Sequence, residues 1–210
     1  MTTHSSFSKA REEFERAWNN PVYTRIEPDP VDVNALLHDY YSTSEALRPT
    51  KPMLWDAEVK KAWGPRTYIP GVVREGEAWD RKPLENGEEF FVRASQQRAW
   101  KKGVDYGHVL EEVYLSPKEQ SVLFFGRAEL SKGDGPPLRA GSHQPLFHVE
   151  HAVRGTDSHP LNLWRIVHLT AEKDDALIER QLADTGAAEW LRGFIAIYVE
   201  TDLGIKLTPR

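Results

Sequence analysis

Three residues of this chain stand where a proton could be moved or a negative charge held: His151, Arg165 and Glu111. Each is the one polar member of an otherwise apolar alternating set, and alternate residues of a strand face the same way. In Phe147–Val153 the set is Phe147, Val149 and Val153, with His151 among them. In Leu161–Leu169 it is Leu161, Leu163, Val167 and Leu169, with Arg165. In His108–Leu115 it is Val109, Val113 and Leu115, with Glu111. A buried charge without a partner is costly, so such groups pair with one another or with a ligand. Imidazole titrates near neutral pH and serves as acid or base. A guanidinium anchors a carboxylate or an enolate oxygen. The plainer reading makes each of the three a satisfied structural residue or part of the sheet rim. A register slip of one residue exchanges the faces and brings forward His148, Glu150 and His168, or His108, Glu112 and Tyr114.

Metal chemistry is the sharper alternative. His143, His148, Glu150, His151 and His168 supply imidazole and carboxylate, which suit Zn²⁺. The stretch has no HExxH or other compact ligand signature, so no metal site is assigned and no cofactor is expected. GxGxxG, P-loop and GxSxG motifs are also absent, which removes the main support for nucleotide-binding and serine-hydrolase readings. Arg93, Arg98, Lys101 and Lys102 gather around Trp100, and in an acidic chain this reads as a solvated strand end. Trp55, Trp63, Trp79 and Trp164 read as core.

The elements that carry these residues fall into three regions. Residues 6–62 are helical. Ser6 or Ser8 caps a helix with Ala10, Phe14, Ala17 and Trp18 on one face, ended by Asn20-Pro21. A second helix starts near Asp29-Pro30 or Asp32 and carries Val33, Leu36, Leu37, Tyr40 and Tyr41. A short third runs from Met53 to Trp63, stopped by Gly64-Pro65. Residues 66–170 read as strands. Arg66–Val73 and Glu88–Ser95 flank a polar stretch, and hairpins join His108–Leu115 to Ser121–Leu130 and Leu146–Val153 to Leu161–Thr170. Gly133-Asp134-Gly135-Pro136-Pro137 is a loop. The third region, Lys173 to about Thr201, is one amphipathic helix or a kinked pair broken near Thr185-Gly186. It carries Leu177, Ile178 and Leu182, then Trp190, Leu191, Phe194, Ile195 and Tyr198.

Bulk composition narrows the class. The 210 residues fit one domain with a sizeable core. The net charge of −5 argues against a nucleic-acid partner. No stretch has the roughly 20 apolar residues of a membrane span, so no membrane partner is expected. No cysteine is present, which removes disulfides and thiolate chemistry and is compatible with a reducing compartment. Together with an N-terminus lacking a signal-peptide core and the lack of any glycosylation acceptor, this gives a cytoplasmic expectation.

Helices, then antiparallel strands, then a long closing helix is an α+β order. With the hairpin Phe147–Val153 / Leu163–Leu169, its Gly155-Thr156 turn and the closing helix ending near Leu203, the chain resembles the START/Bet v1-like superfamily over about residues 50–203. The resemblance implies a helix-grip fold, a curved antiparallel sheet around a long C-terminal helix, with an apolar cavity for a hydrophobic or aromatic small molecule. The family opens with a strand before its small helices, and no such strand is placed here. A branch of metal-dependent hydrolases in that superfamily carries H-x-x-x-E on the closing helix, where this chain has Thr185 and Glu189. Residues 1–49 are then a helical leader packed on a helix-grip-like domain of residues 50–210, a single domain overall. The expected activity is acid–base chemistry on a hydrophobic aromatic or polyketide-like substrate in a cavity between sheet and C-terminal helix, with His151, Arg165 and Glu111 as catalytic residues. A non-catalytic carrier of a hydrophobic small molecule and a metal-dependent hydrolase of the same fold are the alternatives, and the oligomeric state is open.

Overall fold

The computed structural model describes residues 6–99, 106–174, 176 and 187–210. Ser6 accepts from the Lys9 amide and opens helix α1 (Phe7–Trp18), whose Phe7, Ala10, Phe14 and Ala17 are buried at helical spacing. Asp32 caps α2 (Val33–Tyr40) by accepting from the Asn34 and Ala35 amides. Pro52 in the first turn helps set the start of α3 (Lys51–Trp63), and a single further turn, α4 (Pro65–Tyr68), follows Gly64. Ala187–Thr201 forms α5, on which Leu191, Phe194, Ile195, Tyr198 and Val199 are buried. Trp190, Leu177, Ile178, Leu182, Thr185 and Glu189 belong to expectations that lie outside the residues or side chains described.

The long strands are β4 (Val73–Pro83), β5 (Glu89–Arg98), β6 (Tyr106–Ser116), β7 (Ser121–Gly126), β10 (Phe147–Thr156) and β11 (His159–His168). With β1 (Thr24–Ile26) and β2 (Val31–Asp32) they form an eight-stranded sheet in the order β1-β11-β10-β7-β6-β5-β4, with β2 also on β11. Every pairing is antiparallel. Two short pairs lie apart from it: β8 (Glu129–Leu130) with β9 (Leu138–Arg139), and β3 (Tyr41–Thr43) with β12 (Leu207–Pro209). Gly155 closes the β10–β11 hairpin at φ 77°, where a Cβ would stand 2.1 Å from the His159 carbonyl oxygen.

Both faces of the sheet are covered. Helix α1 lays its apolar face on Phe90, Val92, Leu110, Tyr114, Leu123 and Phe125. On the other face, Ala62 of α3 meets Phe91, Val113, Val122, Phe124, Val149 and Ile166. Helices α2, α3 and α5 share a further cluster that reaches the sheet at Val153 and Trp164. The architecture is therefore α+β, with a large antiparallel sheet and a C-terminal helix.

Three stretches differ from the sequence reading, the first being the expected strand Ser121–Leu130, which ends at Gly126, with Glu129–Leu130 paired to β9 instead. Residues 66–73 were expected as a strand, yet Pro65–Tyr68 is helical and the strand runs over Val73–Pro83. This strand is the sheet edge and is mostly exposed, so it shows no apolar alternation and carries the charges that blunt edges. Within the leader, Thr24–Ile26 and Val31–Asp32 pair with β11. The opening strand expected for a helix-grip fold was missed because it has three residues, too few for a period to register.

Candidate functional site

On the α3 side of the sheet, four polar residues meet in the core. Glu58, on α3, is completely buried, and Lys61 and Asn162 are nearly so. Lys61 Nζ donates to Glu58 Oε1 at 2.7 Å and lies 2.7 Å from Oε2. Asn162 Nδ2, from β11, donates to Oε1 at 2.7 Å. His151 Nδ1, from β10, is 3.1 Å from Oε2. The His151 ring lies between Phe124 at 5.1 Å and Trp164 at 5.3 Å, the second nearly parallel to it. Its side chain keeps 17% of its surface accessible, and Nε2 makes no hydrogen bond among the described residues. Lys61 Nζ sits 4.1 Å from the centre of the Phe194 ring, which brings α5 onto the cluster.

Electrostatics fix the protonation states. Burial pushes the Glu58 carboxyl up, but Lys61 and His151 outweigh it and hold it down to about 2. Burial, with the positive charge of Lys61, pushes His151 down to about 4, against the opposing pull of Glu58. Burial also lowers Lys61, with Glu58 resisting. At neutral pH Glu58 is a carboxylate, which only accepts, and His151 is uncharged. With Nδ1 3.1 Å from a carboxylate oxygen that only accepts, the contact suits an Nδ1–H donor and leaves Nε2 without a hydrogen bond.

A second buried pair adjoins the first. Arg93 Nε donates to Glu111 Oε2 at 2.8 Å and Nη1 to the Ala62 carbonyl at 2.8 Å, while Gln97 Nε2 donates to the same Glu111 oxygen at 3.2 Å. Arg93 also stacks over Phe124. Two cations and two carboxylates thus balance inside the core, with α3 joining the pairs through Glu58, Lys61 and Ala62. Burial of this much charge is seldom a gain in stability over apolar packing, and perturbed buried groups concentrate at functional sites.

Arg165 is elsewhere. The register sets Trp164 opposite His151 and Arg165 opposite Glu150, so Arg165 points to the α1 face. There Glu150 is buried between Arg11 and Arg165 and accepts from Ser121 Oγ, and Arg165 also reaches Glu15 of α1. Beside them Arg127 bridges Glu13 of α1 and Glu112, with His148 buried next to it and pushed down to about 4, mainly by burial. A cavity of about 390 Å³ opens on this side, lined by Arg11, Glu119, Glu150, Arg154, Leu163 and Arg165 among others. The structure brings His151 and Glu111 to one face and sets Arg165 on the opposite one. It likewise divides the His-rich stretch: His148 and Glu150 face α1, and His151 and His168 face α3. No group of three His, Asp or Glu among the described residues could hold a metal ion.

Sequence reasoning missed Glu58, Lys61 and Asn162. A signal for the first two existed. Leu54, Ala57, Glu58, Lys61 and Ala62 fall at i, i+3, i+4, i+7 and i+8, so two charges occupy the inward stripe of a helix.

The chain has a START/Bet v1-like fold, which its likeness to a solved aromatase/cyclase supports. The structure aligns with the Zhui aromatase/cyclase from Streptomyces sp. R1128 at TM-score 0.51 and 10% identity, covering 85% of this chain and 95% of the other. Truncated norcoclaurine synthase from Thalictrum flavum aligns at TM-score 0.48 and 10% identity, over 90% of this chain and 99% of that one. A START superfamily protein from Mycobacterium smegmatis aligns at 0.37 and 11%, over 87% and 96%. At such identities the likeness is one of fold. No protein-family model and no curated protein matches the chain. No helix among the described residues is long and apolar enough to cross a membrane.

Proposed function

We propose that this protein is a cytoplasmic small-molecule enzyme that acts by acid–base chemistry on a hydrophobic aromatic or polyketide-like substrate, bound between the sheet and α5. The observation that carries the proposal is His151, clamped at Nδ1 by a buried carboxylate, bare at Nε2 and flanked by Phe124 and Trp164. Aromatic walls favour a flat, apolar substrate, and a bare imidazole nitrogen at its edge is a proton acceptor. An aromatase/cyclase of the same fold lends this reading support. In it, Glu111 neutralises Arg93 near the site, and Arg165 holds α1 and Glu150 together on the far face.

The test is a screen of aromatic ketones and phenolic polyketides for consumption, with a chelator control. His151→Ala should lower turnover about 10²- to 10⁴-fold with ligand affinity largely kept. A ligand that binds tightly and is recovered unchanged would favour a carrier. Activity abolished by the chelator would favour the metal-dependent hydrolase.

A further inference from the structure

The Glu58 network specifies which way His151 can work. We infer that Glu58 is a positioning residue that fixes His151 in the Nδ1–H tautomer, so that the reaction opens with Nε2 removing a proton from the substrate. This rests on the acid–base reading above and adds to it the direction of the first step and a residue outside that reading.

Both oxygens of Glu58 are assigned by their partners. Oε1 accepts from Asn162 and Lys61, and Oε2 takes His151 and the other approach of Lys61. The carboxylate is therefore held from three sides, by β10, β11 and its own helix, and it can neither rotate away nor donate. The charged groups facing His151 are Glu58 and Lys61 of α3, and Arg93 of β5 with its partner Glu111 of β6; α5 presents Phe194, and its Tyr198 hydroxyl is turned to Asp56. Lys61 and Arg93 oppose a proton on the ring, and burial works in the same direction, so the resting imidazole is neutral. A neutral ring with Nδ1–H engaged has no proton to give at Nε2. It can only begin as a base.

The step balances without any further reagent. A substrate C–H flanked by a carbonyl breaks, its proton forms the Nε2–H bond, and its electron pair moves onto the carbonyl oxygen as an enolate. The imidazolium then formed keeps its Nδ1–H on Glu58 and returns the Nε2 proton later in the cycle. The Phe124 and Trp164 rings on either side of His151 suit a flat aryl group beside such a C–H, so the substrate class is carbon acids such as aryl 1,3-diketones.

The resting tautomer is measured on the wild-type protein without substrate, by long-range ¹H–¹⁵N NMR of the histidine rings at pH 7. The expected His151 signal pattern is Nδ1 protonated and Nε2 bare. A ring protonated at Nε2 alone, or at both nitrogens, would overturn the inference. Glu58→Gln then tests the cause. Asn162 donates to Oε1 alone, so it keeps the amide oxygen there and turns the amide NH₂ to His151. Nδ1 must then accept, and the proton moves to Nε2. The variant should show the reversed tautomer and a kcat lowered on the order of 10²- to 10⁴-fold with KM little changed. An unchanged tautomer and unchanged kcat in a folded Glu58→Gln protein would refute the positioning role. If wild type has the expected tautomer but consumes no carbon acid, the functional reading fails and the tautomer assignment stands.

Discussion

Glu58 and Lys61 occupy helix positions that packing alone would give to Leu or Ala, and His151 occupies a strand position between Val149 and Val153. Each is tolerated because each completes the others. Removing one partner leaves a buried charge exposed to the apolar core, so Lys61→Met should cost about 3–5 kcal/mol in denaturant titration. The same arrangement sets a pH signature. His151, ordinarily near 6.5, is held down to about 4. Under the proposed acid–base reading the free protein keeps its base form through neutral and mildly acidic pH, and kcat/KM should stay flat from about pH 8 to 5 and fall as pH drops through about 4. An acid limb centred near 6.5 would mean that His151 is not the group, or that Lys61 and Arg93 do not act on it.

At the scale of elements, α1 and α3 hold opposite faces of one sheet by different means. Helix α1 combines four buried apolar residues with three ion pairs to the sheet, through Arg11, Glu13 and Glu15. Phe14 is fully buried in that layer, and Phe14→Ala should destabilise the protein by about 3–5 kcal/mol in thermal or denaturant unfolding. Arg165→Ala should cost about 1–3 kcal/mol, since Glu150 keeps Arg11 and Ser121, and should leave kcat/KM unchanged because the residue faces α1. A large loss of kcat/KM with normal stability would return Arg165 to the substrate. Much of this was legible beforehand. The α1 stripe and both main hairpins follow from local period and turn residues, which the structure shares. The pairing partners were not legible, because alternation within β10 and within β11 says nothing about which face of one matches which face of the other. His151 and Arg165 each looked like the odd member of an inward set, and both sets are inward, toward different layers. A sheet covered on both faces makes that ambiguity unavoidable from one sequence.

For the whole molecule, the buried titratable groups on both faces pull in one direction. His151 and His148 fall from 6.5 to about 4, and Glu58 falls from 4.5 to about 2. In each window the unfolded chain binds the proton and the folded chain does not, so stability rises with pH there. The histidine contributions are complete above about 6.5 and are withdrawn as pH falls to about 4, on the order of 3 kcal/mol each. Glu58 follows between 4.5 and about 2. Urea unfolding at pH 7 and at pH 4.5 should therefore differ by several kcal/mol, and equal stability at the two values would contradict the buried placement of both rings. The proposed reaction has His151 take a proton from a carbon acid held on the α5 side of the sheet. It is met most directly by proton exchange. An aryl 1,3-diketone is incubated with the protein in D₂O, and loss of the C–H signal between its carbonyls is followed by NMR against a buffer blank. The expected result is exchange faster than the blank that saturates with substrate and disappears in His151→Ala. Exchange at the blank rate in a protein that binds the diketone, or faster exchange that survives in His151→Ala, would contradict it.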